Sequence, residues 1–224
     1  MSQFWEQQLH AIREQLLMMS GLTERNLAMA LRALVERDDN LSAVVEAEDS
    51  EIDQLEIHID ELVVTYVATH GAVASVMRFV LTASKIAANL ERIADEATTI
   101  ARRARDLNSE PLLKPLVDIP IMAEMAQEML HRGISAFVER KPDLALEIVA
   151  KDREVDDLHR KVARDLRGYM HESPQAITRA LHLLTVAKSL ERAADRAANI
   201  AEEVYYMYRG KDIRHDPALK ARPA

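Results

Sequence analysis

Two kinds of acidic pair stand out in the sequence, and each occurs twice. Asp49-x-x-x-Asp53 matches Asp152-x-x-x-Asp156, and Glu91-x-x-x-Asp95 matches Glu191-x-x-x-Asp195. On a helix, residues four apart share a face, with Cβ atoms about 5–6 Å apart. Two exposed carboxylates so placed repel each other by about 0.2–0.5 kcal/mol. Four such pairs need a compensating partner, and a bound cation is the simplest one. All-oxygen ligation suits hard ions such as Mg, Ca, Mn or iron rather than copper. Asn199, four residues after Asp195, offers one more carbonyl oxygen where the other copy has Thr99. Small residues flank the Glu–Asp pairs (Ala87, Ala88, Ala94 and Ala97; Ala187, Ala194, Ala197 and Ala198) and would leave room for an ion. Taking these eight carboxylates from the 37 acidic residues leaves 29, the same as the count of Lys plus Arg. The other reading pairs the acids with Arg92, Arg192, Lys85 or Lys188 on solvated helix surfaces, and spacing by itself leaves both open.

The elements that must position these acids are helices. Aromatic residues make up 4% of the 224 residues and there are only 5 Gly, too little sheet and turn chemistry for a β protein. Apolar residues recur at helical spacing, as in Leu9, Ile12, Leu16, Met19, Leu27, Ala30, Leu31 and Leu34. Asp38-Asp39-Asn40 offers N-caps for a second helix, about Leu41 to Thr69, which His70-Gly71-Ala72 ends. A third helix spans about Val73 to Leu107. Asn108 to Pro120, with three prolines, is the best linker in the chain. Beyond it, helices are expected from about Ile119 to Arg140, from Pro142 to about Met170, and from Ser173-Pro174 to Arg209, with Gly210 as C-cap.

The two halves are copies of each other. At an offset of 103, Ala33-x-Val35-Glu36-Arg37 matches Ala136-x-Val138-Glu139-Arg140, and Leu41, Glu51, Leu55 and Tyr66 match Leu144, Glu154, Leu158 and Tyr169. At an offset of 100, the twelve residues from Leu90 to Ala101 align with Leu190 to Ala201, eight of them identical. The expected fold is all-α, two tandem three-helix bundles from an internal duplication. The expected boundaries are 1–110 for the first bundle, 111–118 for a proline-rich linker, 119–210 for the second bundle and 211–224 for a flexible tail.

Other chemistry is thin. No cysteine is present, which removes disulfides, thiolate metal sites and a cysteine nucleophile. A formal charge of -8 argues against nucleic acid as a bulk electrostatic partner. The eight histidines form no His-x-x-x-His pair. Glu128-x-x-His131 and Asp156-x-x-His159 do not repeat, whereas a ferritin-like di-iron site needs Glu-x-x-His on two helices. Neither a phosphate-cradling glycine loop nor a Ser/His/Asp arrangement is evident. The Met122, Met125, Met129 group and the Tyr205-Tyr206-x-Tyr208 cluster read as packing. No basic stretch followed by an apolar run opens the chain, and Leu62 to Met77, its longest run without charges, is too short to span a bilayer. A cytoplasmic protein is expected, peripheral to a membrane only through partners.

Taken together, Leu90-Glu91-Arg92-Ile93-Ala94-Asp95, Leu190-Glu191-Arg192-Ala193-Ala194-Asp195-x-x-x-Asn199-Ile200-Ala201-Glu202, Asp49-x-x-Ile52-Asp53 and Asp152-x-x-Val155-Asp156 resemble the PhoU family. The resemblance runs from about Phe4 to Gly210. The family usually has Ile-Gly where this chain has Ile93-Ala94 and Ala193-Ala194. The resemblance implies that Asp49, Asp53, Glu91, Asp95, Asp152, Asp156, Glu191, Asp195 and Asn199 hold divalent or trivalent metal ions, iron or zinc in the family. It further implies a negative regulator of phosphate uptake and of the phosphate-starvation response. Such a protein is an adaptor between the ATPase subunit of the Pst phosphate ABC transporter and a PhoR-type sensor kinase, works as a homodimer, and is not an enzyme. From the residues alone, a carboxylate-bridged dinuclear metalloenzyme on a helical bundle remains the alternative.

Overall fold

The computed structural model describes residues 2–70 and 73–214, with side chains from residue 6. Among the described residues there are six α-helices, one 3-10 turn and no strand. The helices are α1 (Ser2–Glu36), α2 (Asp39–Thr69), α3 (Ala74–Asn108), α4 (Asp118–Glu139), α5 (Leu144–Glu172) and α6 (Ile177–Arg209).

Local chemistry sets the helix ends. The Asp38 carboxylate accepts the Asn40 N–H at 2.9 Å and caps α2. Gly210, at φ 68°, stops α6, and its N–H bonds the Tyr206 carbonyl at 2.8 Å. The duplicated Ala-x-Val-Glu-Arg motif turns out to be a helix stop as well. Arg37 and Arg140 both take the left-handed conformation, at φ 58° and 57°. That bend lets the Asp38 N–H reach the Ala33 carbonyl, and the Lys141 N–H reach that of Ala136. Two expected details differ. Ser173 stands at the cap position with Pro174 following it as expected, but its side chain makes no cap bond and the helix they open is a 3-10 turn, so α6 begins at Ile177. Pro142 precedes α5 in a turn instead of opening it. Gly71 and Ala72, expected to end α2, lie outside the described residues, as do 215–224 of the expected tail.

Helix α2 packs on α1 and α3, and α5 packs on α4 and α6. The two bundles lie side by side without interleaving, joined where α3 crosses α6 and α1 meets α4. Lys85–Glu203 at 3.2 Å and Glu96–Arg192 at 3.3 Å show that α3 and α6 run antiparallel. Ala87, Ala94 and Ala97, with Ala187, Ala194 and Ala197, are buried. These alanines therefore let the neighbouring helices approach closely, as small residues on a helix face are expected to do. Positions 91–100 repeat the burial pattern of 191–200 residue for residue, and a single apolar core runs through both halves. Even an ion pair is duplicated with its charges exchanged. Arg25–Glu48 at 2.9 Å in the first half becomes Glu128–Lys151 at 3.1 Å in the second.

The connection between the bundles is pinned down. Arg37 donates to the carbonyls of Leu107, Asn108 and Glu110, Arg179 donates to that of Pro111, and Leu113 and Leu116 pack on the core. Past Gly210 the chain is also held, because Ile213 is buried.

Candidate functional site

The paired acids sit where two helices of each bundle run alongside each other. Glu91 and Asp95 lie on the edge of α3 that faces Asp49 and Asp53 of α2. The electrostatics report that approach. Burial, Asp95, Glu56 and Asp53 push the Glu91 carboxyl up to about 7, with Arg92 opposing them. Asp95 is raised by burial and then by Asp49 and Asp53, and Asp53 by burial and then by Asp49. In the second bundle, burial followed by Asp195, Asp156, Glu191 and Glu202 pushes Asp152 up to about 7. Asp195 is raised by burial and by Glu191, against Arg196. Each rise has two physical origins, burial first and like charge second. A carboxylate that has lost part of its hydration and faces others of its sign holds its proton longer.

All eight carboxylates are therefore gathered into two faces, one per bundle. Asn199 lies a turn beyond Asp195, half-buried, and among the described residues no hydrogen bond ties it to the acids. Ion pairing with neighbouring cations accounts for only part of the charge. Lys188 binds Glu191 at 2.6 Å and Arg160 stands 3.9 Å from Asp156. Lys85 and Arg192 instead turn across the bundle junction to Glu203 and Glu96. Asp49 accepts a hydrogen bond from the Thr98 hydroxyl at 3.1 Å. As the side chains stand, no three histidine or acidic groups among the described residues are placed to hold a metal ion. The donors suit a hard cation in type, charge and number, and the outer carboxylates, Asp53 and Asp95 among them, are exposed enough to turn.

Two acids join these faces that sequence reasoning did not select. Glu56 is half-buried on α2 beside Asp53, and its carboxyl is raised by burial, Asp60 and Asp53. Glu202, buried on α6, acts on Asp152. Neither repeats in the other half, where His159 stands opposite Glu56 and Arg102 opposite Glu202. The histidines stay apart from the faces where contacts are seen; His131 meets Glu24 of α1 at 3.5 Å.

The model of the PhoU domain matches the chain twice, over residues 16–104 and 119–204, once in each bundle. The chain belongs to the PhoU family. A Pseudomonas aeruginosa relative named phosphate-specific transport system accessory protein PhoU homolog is 38% identical over 215 residues, covering 96% of this chain and 89% of the relative. The Escherichia coli K12 protein named phosphate-specific transport system accessory protein PhoU is 35% identical over 208 residues, covering 93% and 86%. The crystal structure of PhoU from Pseudomonas aeruginosa superposes with a TM-score of 0.90 at 37% identity, covering 92% of this chain and all of that one. The PhoU fold thus accounts for the doubled bundle.

Proposed function

We propose that this protein is an accessory regulator of phosphate-specific transport that restrains phosphate uptake and the phosphate-starvation response when phosphate is plentiful. The observation that carries the reading is the doubled PhoU domain, in a chain aligned over more than nine-tenths of its length with relatives named for that transport system. We read it as a cytoplasmic adaptor, a homodimer that docks on the ATPase subunit of a Pst-type transporter and on a PhoR-type sensor kinase. Among the described residues no helix is long and apolar enough to cross a membrane, in keeping with recruitment through such partners. The relatives are named accessory proteins, which fits a role without a catalytic step.

The acidic faces are the proposed metal sites. Asp49, Asp53, Glu91 and Asp95 would hold an ion on the first bundle, and Asp152, Asp156, Glu191 and Asp195, with Asn199, on the second. A bound divalent or trivalent ion, iron, zinc, Mg, Mn or Ca, would supply positive charge that turns mutual repulsion into attraction. What the chain itself contributes is a rigid pair of helices that keeps the carboxylates together. Deleting the gene tests the regulatory reading. Phosphate-regulated genes should be expressed constitutively on high phosphate; normal repression there would overturn it.

A further inference from the structure

At one end of the molecule, α1, the start of α3 and the C-terminal ends of α4 and α6 line an open cleft of about 290 Å³ at the junction of the two halves. That is close to the lower limit, about 300 Å³, of pockets that hold small molecules. Leu9 and Phe79 supply apolar wall, and Arg13, Arg140 and Tyr208 supply polar groups. A neighbouring open cavity of about 490 Å³ shares Arg140 and Tyr208, so the two meet at those residues.

Arg13 is half-buried and Arg140 is exposed at the mouth of the cleft. The Arg13 guanidinium lies over the Phe137 ring, 5.3 Å from its centre, and only a long contact of 3.5 Å links it to the Tyr208 oxygen. Its Nε is buried with no hydrogen-bond partner. The Tyr208 hydroxyl gives its proton to the Phe137 carbonyl at 2.9 Å. Arg140 has been released from the job its counterpart does. Arg37 caps the end of α3 through three carbonyls, but the end of α6 is closed by the Gly210 N–H and by Arg78, whose Nε reaches the Met207 carbonyl at 3.4 Å. Among the described residues no carboxylate pairs with Arg13 or Arg140.

Other charges nearby are already matched. Arg209 binds Asp143 at 2.7 Å, Lys141 binds Glu139 at 2.6 Å, Glu147 binds Arg132, and His10 binds Glu14 at 3.2 Å. Glu6 stands in the lining as an exposed acid on the first turns of α1. Two uncompensated guanidinium groups over an apolar wall select for negative charge joined to an apolar body, and their planar forks match a carboxylate or a phosphate equally.

We propose that this cleft binds a small organic anion, its carboxylate or phosphate group seated between Arg13 and Arg140 and its apolar body against Leu9 and Phe79. The site is separate from the acidic faces and does not depend on the regulatory reading. Calorimetric titration of the full chain at low salt with phenyl phosphate, benzoate, inorganic phosphate and benzyl alcohol tests it. One of the two aromatic anions should bind at one site per chain, at least tenfold more tightly than inorganic phosphate or benzyl alcohol, and the tighter of the two identifies the head group. Arg140→Asn should weaken that binding at least tenfold without lowering the melting temperature, because asparagine accepts the left-handed backbone. Arg13→Gln should do the same to binding, and Arg164→Gln, on the exposed face of α5, should change nothing. If Arg13→Gln does not fold, Arg140→Asn decides. The proposal fails if neither aromatic anion binds, if binding survives Arg140→Asn, or if Arg164→Gln weakens it equally.

Discussion

Replacing Asp152 by Asn should make the metal-free protein more stable at alkaline pH and leave it nearly unchanged in acid. Burial, followed by Asp195, Asp156, Glu191 and Glu202, pushes the Asp152 carboxyl up to about 7 in the folded chain, whereas an unfolded aspartate ionises near pH 4. The folded state thus holds this proton more tightly than the unfolded state does. Below about pH 4 the group is neutral in both states and costs nothing. The penalty grows as pH rises from about 4 to 7 and is full above 7. A rise from near 4 to about 7 corresponds to roughly 4 kcal/mol at 1.36 kcal/mol per tenfold change in proton affinity. Water still reaches part of the carboxylate, so about half of that, ~2 kcal/mol, is the expected gain on removing the charge.

For a chain of this length the gain amounts to a rise in melting temperature of about 4–8 °C at pH 8.5, and to very little at pH 4.5. Thermal melts of wild type and Asp152→Asn in EDTA at those two pH values make the measurement. An equal gain at both would mean that asparagine simply packs better. No gain at pH 8.5 would mean that the carboxylates of α5 and α6 do not repel each other, and the electrostatic case for a cation site would go with it. With saturating divalent metal the sign should reverse, since the lost ligand then weakens binding that stabilises the fold.

The double variant Glu191→Gln, Asp195→Asn should stay folded and lose metal from the second bundle alone; elemental analysis unchanged from wild type would leave these residues as ordinary surface charges. Arg37→Asn should cost about 2 kcal/mol, since it removes hydrogen bonds from a charged donor to three carbonyls at the end of α3. Urea unfolding is the measurement, and a midpoint equal to that of wild type would show that the connection between the bundles is held without Arg37.

Much of this molecule is legible in its sequence because the relevant signals are local. Helical periodicity, proline punctuation and Gly210 are read over a few residues, so the helices fall close to where they are expected. The i, i+4 spacing likewise settles that Glu91 and Asp95 share one edge of α3. The duplication carries that reasoning across both halves. Tertiary structure decided what each edge meets. The antiparallel crossing of α3 and α6 merges the two apolar cores and turns the flanking alanines into packing surface. Glu56 and Glu202 enter the acidic faces only because a partner helix brings the other acids to them, and neither is repeated in the other half. Arg37 and Arg140 show the division most clearly. They share a motif and a left-handed backbone, yet one caps α3 while the other faces a cleft, because the chain opposite Arg140 is already closed by Gly210 and Arg78. Periodicity is written in neighbours three and four residues apart, whereas the neighbours that set a side chain's task lie about seventy or more residues away.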